Sequence, residues 1–174
     1  MTSSSEDKAA GVQGIVFDVD GVLTSGAVVY GPGGEWKVFD VQDGHGFKLA
    51  RRAGLKLALL SGRASDAVTR RAEELQVDAF EQGIKNKVDI LPGLLEKMGI
   101  EAEAVCYVGD DLVDIPPMRC VGFRVAVANA VEEVKAEADW ITTRRGGQGA
   151  AREVIERILK ARGWWQGALE RYVG

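Results

Sequence analysis

The sequence predicts an α/β fold built on a doubly wound parallel sheet, and three observations carry that prediction. Apolar runs of strand length alternate with stretches of helical periodicity along most of the chain. The runs at residues 14–17, 55–60 and 104–108 are short and almost uninterrupted, as strands buried on both faces are. Each stops at a polar cluster: Asp18-Val19-Asp20-Gly21 after the first, Ser61-Gly62-Arg63 after the second, Gly109-Asp110-Asp111 after the third. Ligands of open α/β sheets sit beyond the carboxyl ends of the strands, so these clusters are the candidate site.

The chain has 174 residues, of which 46% are hydrophobic and 28% charged, enough for one domain with a real core. Its formal charge of −4 argues against a general nucleic-acid binder and leaves room for a local anion pocket. No apolar stretch has the length of a membrane span, and the first residues show no secretory apolar region. Cys106 and Cys120 form no framework and fit a reducing cytoplasm as small core residues.

Taken in order, residues 1–13 are polar and read as a loose leader. After the first strand, two β-rich runs around Gly31-Pro32-Gly33-Gly34 predict a hairpin over residues 27–41. A helix over 47–53 stops at Gly54, and Ser65 or Asp66 caps the next, whose apolar face is Val68, Ala72 and Leu75. A short strand at 77–80 precedes a helix capped by Asn86, in which Pro92 is a local conflict that delays or kinks it. Pro116-Pro117 suits the first turn of a short helix, and strands at 123–127 and 140–142 flank a helix at 131–138. A glycine loop at 146–149 feeds a last amphipathic helix. The single domain therefore spans 14–163, and residues 164–174 form a tail rich in aromatic residues, unlike a solvated terminus.

Asp18 and Asp20, two residues apart, share one side of an extended chain, and two such anions need a cation or a shared proton. Mg²⁺, a hard ion held by one or two carboxylates plus phosphate, is the natural partner. A lone Asp-x-Asp is weak, because strand ends often carry aspartates that only bond nearby backbone. Lys87 alone reads as a solvated lysine. The order of Asp18-x-Asp20, Ser61, Lys87 and Asp110 is what makes the set specific.

That order resembles the four motifs of the haloacid dehalogenase superfamily, and the expected fold is then its Rossmann-like type. The resemblance implies that Asp18 is the nucleophile and Asp20 the general acid and base. It implies phosphate binding by Ser61, Gly62 and Lys87, and Mg²⁺ bound by Asp18, the Asp20 backbone carbonyl and Asp110. Asp111 and Asp114 would hold the metal's waters, with helix capping an equal reading for Asp114. About 40 residues separate Asp20 from Ser61 and roughly 25 separate Ser61 from Lys87, too few for a cap domain.

Within the superfamily, the pattern Asp18-Val19-Asp20-Gly21-Val22-Leu23-Thr24, Asp43-Gly44, Asn86-Lys87 and Gly146-Gly147-x-Gly149 resembles the 3-deoxy-D-manno-octulosonate (KDO) 8-phosphate phosphatases. This implies a sugar-phosphate substrate, a homotetramer with the hairpin and the carboxyl-terminal tail at subunit interfaces, and Arg63 as a substrate-binding cation. For Arg63 a structural ion pair is nearly as good a reading. Ser25, Gln42 and His45 depart from the family pattern on the substrate side. A nonulosonate 9-phosphate phosphatase is the alternative among enzymes, and a non-catalytic oligomerisation module the alternative outside them.

Overall fold

The computed structural model describes residues 4–173. Its frame is a six-stranded parallel sheet: β1 (Gly14–Phe17), β4 (Lys56–Leu60), β5 (Ala79–Glu81), β6 (Val105–Gly109), β7 (Phe123–Ala126) and β8 (Trp140–Ile141). The order across the sheet is β5-β4-β1-β6-β7-β8. The chain therefore winds outward from β1 in one direction, returns, and winds outward in the other. The reversal falls at β1, which makes its carboxyl end the switch point where an open sheet parts into a crevice.

Two helical layers cover the sheet. The helix α2 (Val41–Arg52) packs against α3 (Asp66–Leu75) and α7 (Ala150–Ala161) on one face. On the other face α5 (Ile115–Met118) packs against α4 (Lys87–Met98) and α6 (Glu132–Glu137). Right-handed crossovers require this division when the winding direction reverses. Every residue of β1 and β6 is buried, matching their unbroken apolar sequence.

Several expectations need correction. The leader is not loose throughout: Ser5–Gly11 forms α1, capped reciprocally by Ser4 and Asp7, with Ala9 and Val12 buried. It is tied to the body by Lys8 Nζ to Asp139 Oδ1 at 2.7 Å and by Arg157 donating to Ser5 Oγ at 2.9 Å. The hairpin is shorter than 27–41, pairing only β2 (Val29–Gly31) with β3 (Gly34–Trp36). The helix expected from 47 begins at Val41, because Asp40 accepts from the Gln42 and Asp43 amides and caps it. Ser65, not Asp66, caps α3. Asn86 makes no cap bond; its amide donates to Asp89. The helix α4 runs through Pro92, which lies on its exposed side while Leu91, Leu94, Leu95 and Met98 face the core. The tail forms α8 (Trp165–Val173), lying on its own chain with Arg52 donating to the Tyr172 hydroxyl at 2.7 Å.

Asp43 joins the two helices behind the switch point. Its Oδ1 accepts from the Arg152 amide at 2.7 Å, in the first turn of α7, whose own cap residue Gly149 has no side chain to offer. The carboxylate of one helix thus caps another, and burial raises its pKa to about 6, with Asp40 adding to the rise and the Arg152 amide opposing it. Because the folded-state value lies above the unfolded one, ionisation costs the folded state more, and stability is lost as pH rises from about 4 through 6. Asp43→Asn, which keeps an acceptor for the Arg152 amide, should therefore gain stability relative to wild type across that interval. Parallel denaturant titrations at pH 4 and pH 7 check this, and a difference independent of pH would refute it.

Candidate active site

The parallel register fixes the site before any side chain is considered. Phe17 is level with Leu59 of β4 and Val108 of β6, so Ser61 and Asp110 each lie one residue beyond the level of Asp18, on opposite sides. Asp18 continues the ladder by donating its amide to the Val108 carbonyl at 3.0 Å. Three strand ends, spaced by the usual separation of about 4.8 Å, thus place hydroxyl, carboxylate and carboxylate in a row.

Lys87 enters from the first residue of α4 and is 3% exposed. Its ammonium donates to Asp18 Oδ1 at 2.6 Å and to Asp114 Oδ1 at 2.7 Å. Asp114 is fully buried and has no spare acceptor: Oδ1 also accepts from the Tyr107 hydroxyl at 2.8 Å, and Oδ2 accepts from the Asp110 and Asp111 amides at 3.0 and 3.2 Å. Of the two readings for Asp114, this geometry favours the cap, with the added task of holding Lys87. Tyr107 and the double duty of Asp114 were not foreseen. The tyrosine sits inside an apolar run, where nothing distinguishes it from core.

Asp18, Asp110 and Asp114 each bring a carboxylate oxygen within 4.8 Å of the others, with Lys87 the one ammonium among the described residues bonded into them. Burial drives the Asp18 carboxyl well above its ordinary range, Asp114 reinforces this, and Lys87 only partly counters it. Burial likewise raises Asp110 to about 7, with Asp114 next in effect. Lys87 is held above the usual lysine value because Asp18 and Asp114 outweigh its burial. Asp110 Oδ1 is buried with no hydrogen-bond partner among the described residues. Excess negative charge, hard oxygen donors and an orphaned carboxylate oxygen fit Mg²⁺. Asp18 and Asp110 have lone pairs left for it; Asp114 does not.

The turn after Asp20 is clamped from behind. Gly21 adopts φ +91°, and a Cβ there would lie 1.9 Å from Asp110 Oδ2, so only glycine lets the two loops close on each other. Asn129 donates to the Gly21 carbonyl at 3.0 Å and accepts from the Gly146 amide at 2.5 Å. Gly147 donates to the Val22 carbonyl at 3.0 Å. The glycine loop at 146–149 therefore serves to press on the Asp20 turn. Asn129 was missed; its polarity directly after a strand was the available signal.

The Ser61 hydroxyl is buried and donates to the Arg63 carbonyl at 2.9 Å. Gly62 follows it in an exposed turn. Arg63 is half exposed and pairs with Glu35 of the hairpin at 2.5 Å, the ion-pair reading rather than a free cation. Asp20 is turned toward the hairpin and is bonded by Lys37, which also pairs with Glu35 at 2.7 Å. The sequence-predicted set thus divides: Asp18, Lys87 and Asp110 meet in the crevice, while Asp20 and Arg63 are joined through the hairpin.

The chain is similar to known proteins over most of its length. Residues 81–154 match a model for haloacid dehalogenase-like hydrolases. The KDO 8-phosphate phosphatase KdsC of Escherichia coli K12 is 41% identical over 157 residues, which is 90% of this chain and 84% of that protein. A Moraxella catarrhalis KDO 8-phosphate phosphatase, solved with magnesium, phosphate and KDO, superposes with a TM-score of 0.92 at 41% identity, covering 97% of both chains. The cobalt-bound Haemophilus influenzae enzyme gives 0.88 at 38% identity, covering 91% of this chain and 93% of that one. The chain belongs to the KDO 8-phosphate phosphatase family of haloacid dehalogenase-like hydrolases.

Proposed function

We propose that the protein hydrolyses 3-deoxy-D-manno-octulosonate 8-phosphate to the free sugar acid and phosphate. The observation that carries this reading is the gathering of Asp18, Lys87 and Asp110 at one strand switch point, in a chain whose 41%-identical relatives bear that activity in their names.

In this mechanism an Asp18 oxygen attacks phosphorus, and the bond from phosphorus to the sugar oxygen breaks. Asp20 gives its proton to the departing oxygen, leaving an aspartyl-phosphate on Asp18. Asp20, now a carboxylate, takes a proton from water, whose oxygen attacks phosphorus and releases phosphate with Asp18 restored. Lys87 and Ser61, with the Gly62 amide, hold the equatorial phosphoryl oxygens. Asp18, Asp110 and the Asp20 carbonyl are the ligands for Mg²⁺, which when bound offsets the phosphoryl charge and keeps Asp18 ionised despite its burial. Arg63, ion-paired with Glu35 in this structure, would exchange that partner for the substrate carboxylate.

We further assign a homotetramer in which hairpin and tail lie at subunit interfaces. Trp36 and Val38 are 55% and 77% exposed, and with Val29, which pairs with Trp36 across the hairpin, they make an apolar face that a second copy would cover. The helix α8 buries none of its residues, and an open groove of about 500 Å³ runs between it and α2. A cytoplasmic setting agrees with the free thiols of Cys106 and Cys120, and no helix among the described residues is long and apolar enough to cross a membrane.

Phosphate release from a panel of sugar phosphates with Mg²⁺ tests the substrate. Turnover should be fastest on the octulosonate 8-phosphate, and Asp18→Asn should abolish it, by at least about 10⁴-fold, while leaving the circular dichroism unchanged. Preference for a nonulosonate 9-phosphate would displace the substrate, no turnover of any ester would leave an oligomerisation module, and robust activity in the variant would exclude the covalent route. Truncation after Gly163 should raise KM several-fold with little change in folding; an unchanged KM would remove the tail from the site.

A further inference from the structure

The hairpin carries its polarity the wrong way round for a solvated flap. From Gly34 onward its residues alternate outward and inward: Gly34, Trp36 and Val38 are exposed, whereas Glu35, Lys37 and Phe39 are covered. A period of two is expected of an extended chain, yet here Trp36 and Val38 face out while Glu35 and Lys37 face the protein. The Lys37 side chain is 1% exposed. Covering a lysine is costly unless its charge is met, and two carboxylates meet it: Asp20 Oδ1 and, at 2.7 Å, Glu35 Oε1. Glu35 is held in turn by Arg63 at 2.5 Å.

From this geometry we propose that Lys37 is the positioning residue for the general acid Asp20. It grips Oδ1 of that carboxylate and leaves Oδ2 as the oxygen that exchanges the proton with the leaving group. Asp20 has two competing attractions, the metal site beside Asp18 and the hairpin. If its side chain swung onto the ion, it would turn away from the leaving group, so a fixed contact on the hairpin side holds it in place. The strand alternation puts Lys37 there, and the Glu35–Arg63 pair fixes the lysine against the segment that follows Ser61.

The inference rests on the phosphatase reading, and leaving-group dependence separates the two. An alkyl ester such as the sugar 8-phosphate needs a proton as its oxygen departs; p-nitrophenyl phosphate does not. First-turnover leaving-group release with Mg²⁺ isolates the transfer step from the later attack of water. Lys37→Met should slow release of the sugar by at least about tenfold, within the range that acid catalysis supplies, and slow nitrophenol release by no more than about threefold. Lys37→Arg should recover most of the difference. Should Lys37→Met not fold, Glu35→Gln, which keeps the lysine but loosens its second anchor, should show a smaller loss with the same leaving-group bias. Equal losses on both esters, or a rise in KM with an unchanged transfer rate, would overturn the assignment. Absence of release from both esters by wild type would refute the phosphatase reading instead.

Discussion

The Lys87 ammonium, held between Asp18 and Asp114 in the crevice beside β1, is the interaction on which the rest of the site depends. Both pairs are almost wholly buried, so neither carboxylate can turn to water for compensation. Removing the lysine would strand two anions, and moving the helix that carries it would do the same. The fold answers this by starting α4 at the lysine itself and by locking Asp114 with a tyrosine hydroxyl and two amides. Asp110, whose amide is one of those two, is placed by the same network. The geometry around Asp18 is thus built from contacts within the chain itself.

One ammonium does not balance three carboxylates, and the imbalance has a use. Asp18 and Asp110 carry raised pKa values because burial and Asp114 both disfavour their charge. A divalent cation bound between Asp18 and Asp110 would reverse that preference. The hairpin handles the remaining carboxylate separately. Asp20 is two residues from Asp18, yet its side chain belongs to a different charge cluster, closed by Lys37, Glu35 and Arg63. Two carboxylates two residues apart are thus held by different cations.

Much of this was readable from the sequence where apolar runs end in chemistry. Asp18, Ser61 and Asp110 follow strands that are buried on both faces, so their environment is set by local pattern, and the parallel register brings them within one residue of the same level. What could not be read depends on long-range geometry. Lys37, between Trp36 and Val38, looks like the polar side of a solvated hairpin; only the folded chain shows which side faces the protein. Asp114 offers four lone-pair directions, and the donors that fill them come from Lys87, Tyr107 and its own loop. The start of α2 was placed late because Gly44 and Gly46 lower helix propensity, a deficit overridden by the Asp40 cap and by α7, whose Arg152 backbone lies within 3.3 Å of where a Gly46 side chain would begin. The helix α1 was missed since Ala9 is its only buried residue, too little for a periodic signal.

The balance of charge around Asp18 is most directly tested by the thermal midpoint as a function of Mg²⁺ concentration, in wild type and in Asp110→Asn. A buried site with surplus negative charge should be stabilised by the ion, since binding to the folded state alone raises stability with the logarithm of ligand concentration. Wild type should therefore climb by several degrees across the titration, while Asp110→Asn should melt higher than wild type without metal and respond weakly to it. A midpoint indifferent to Mg²⁺, or an equal rise in both proteins, would contradict the account.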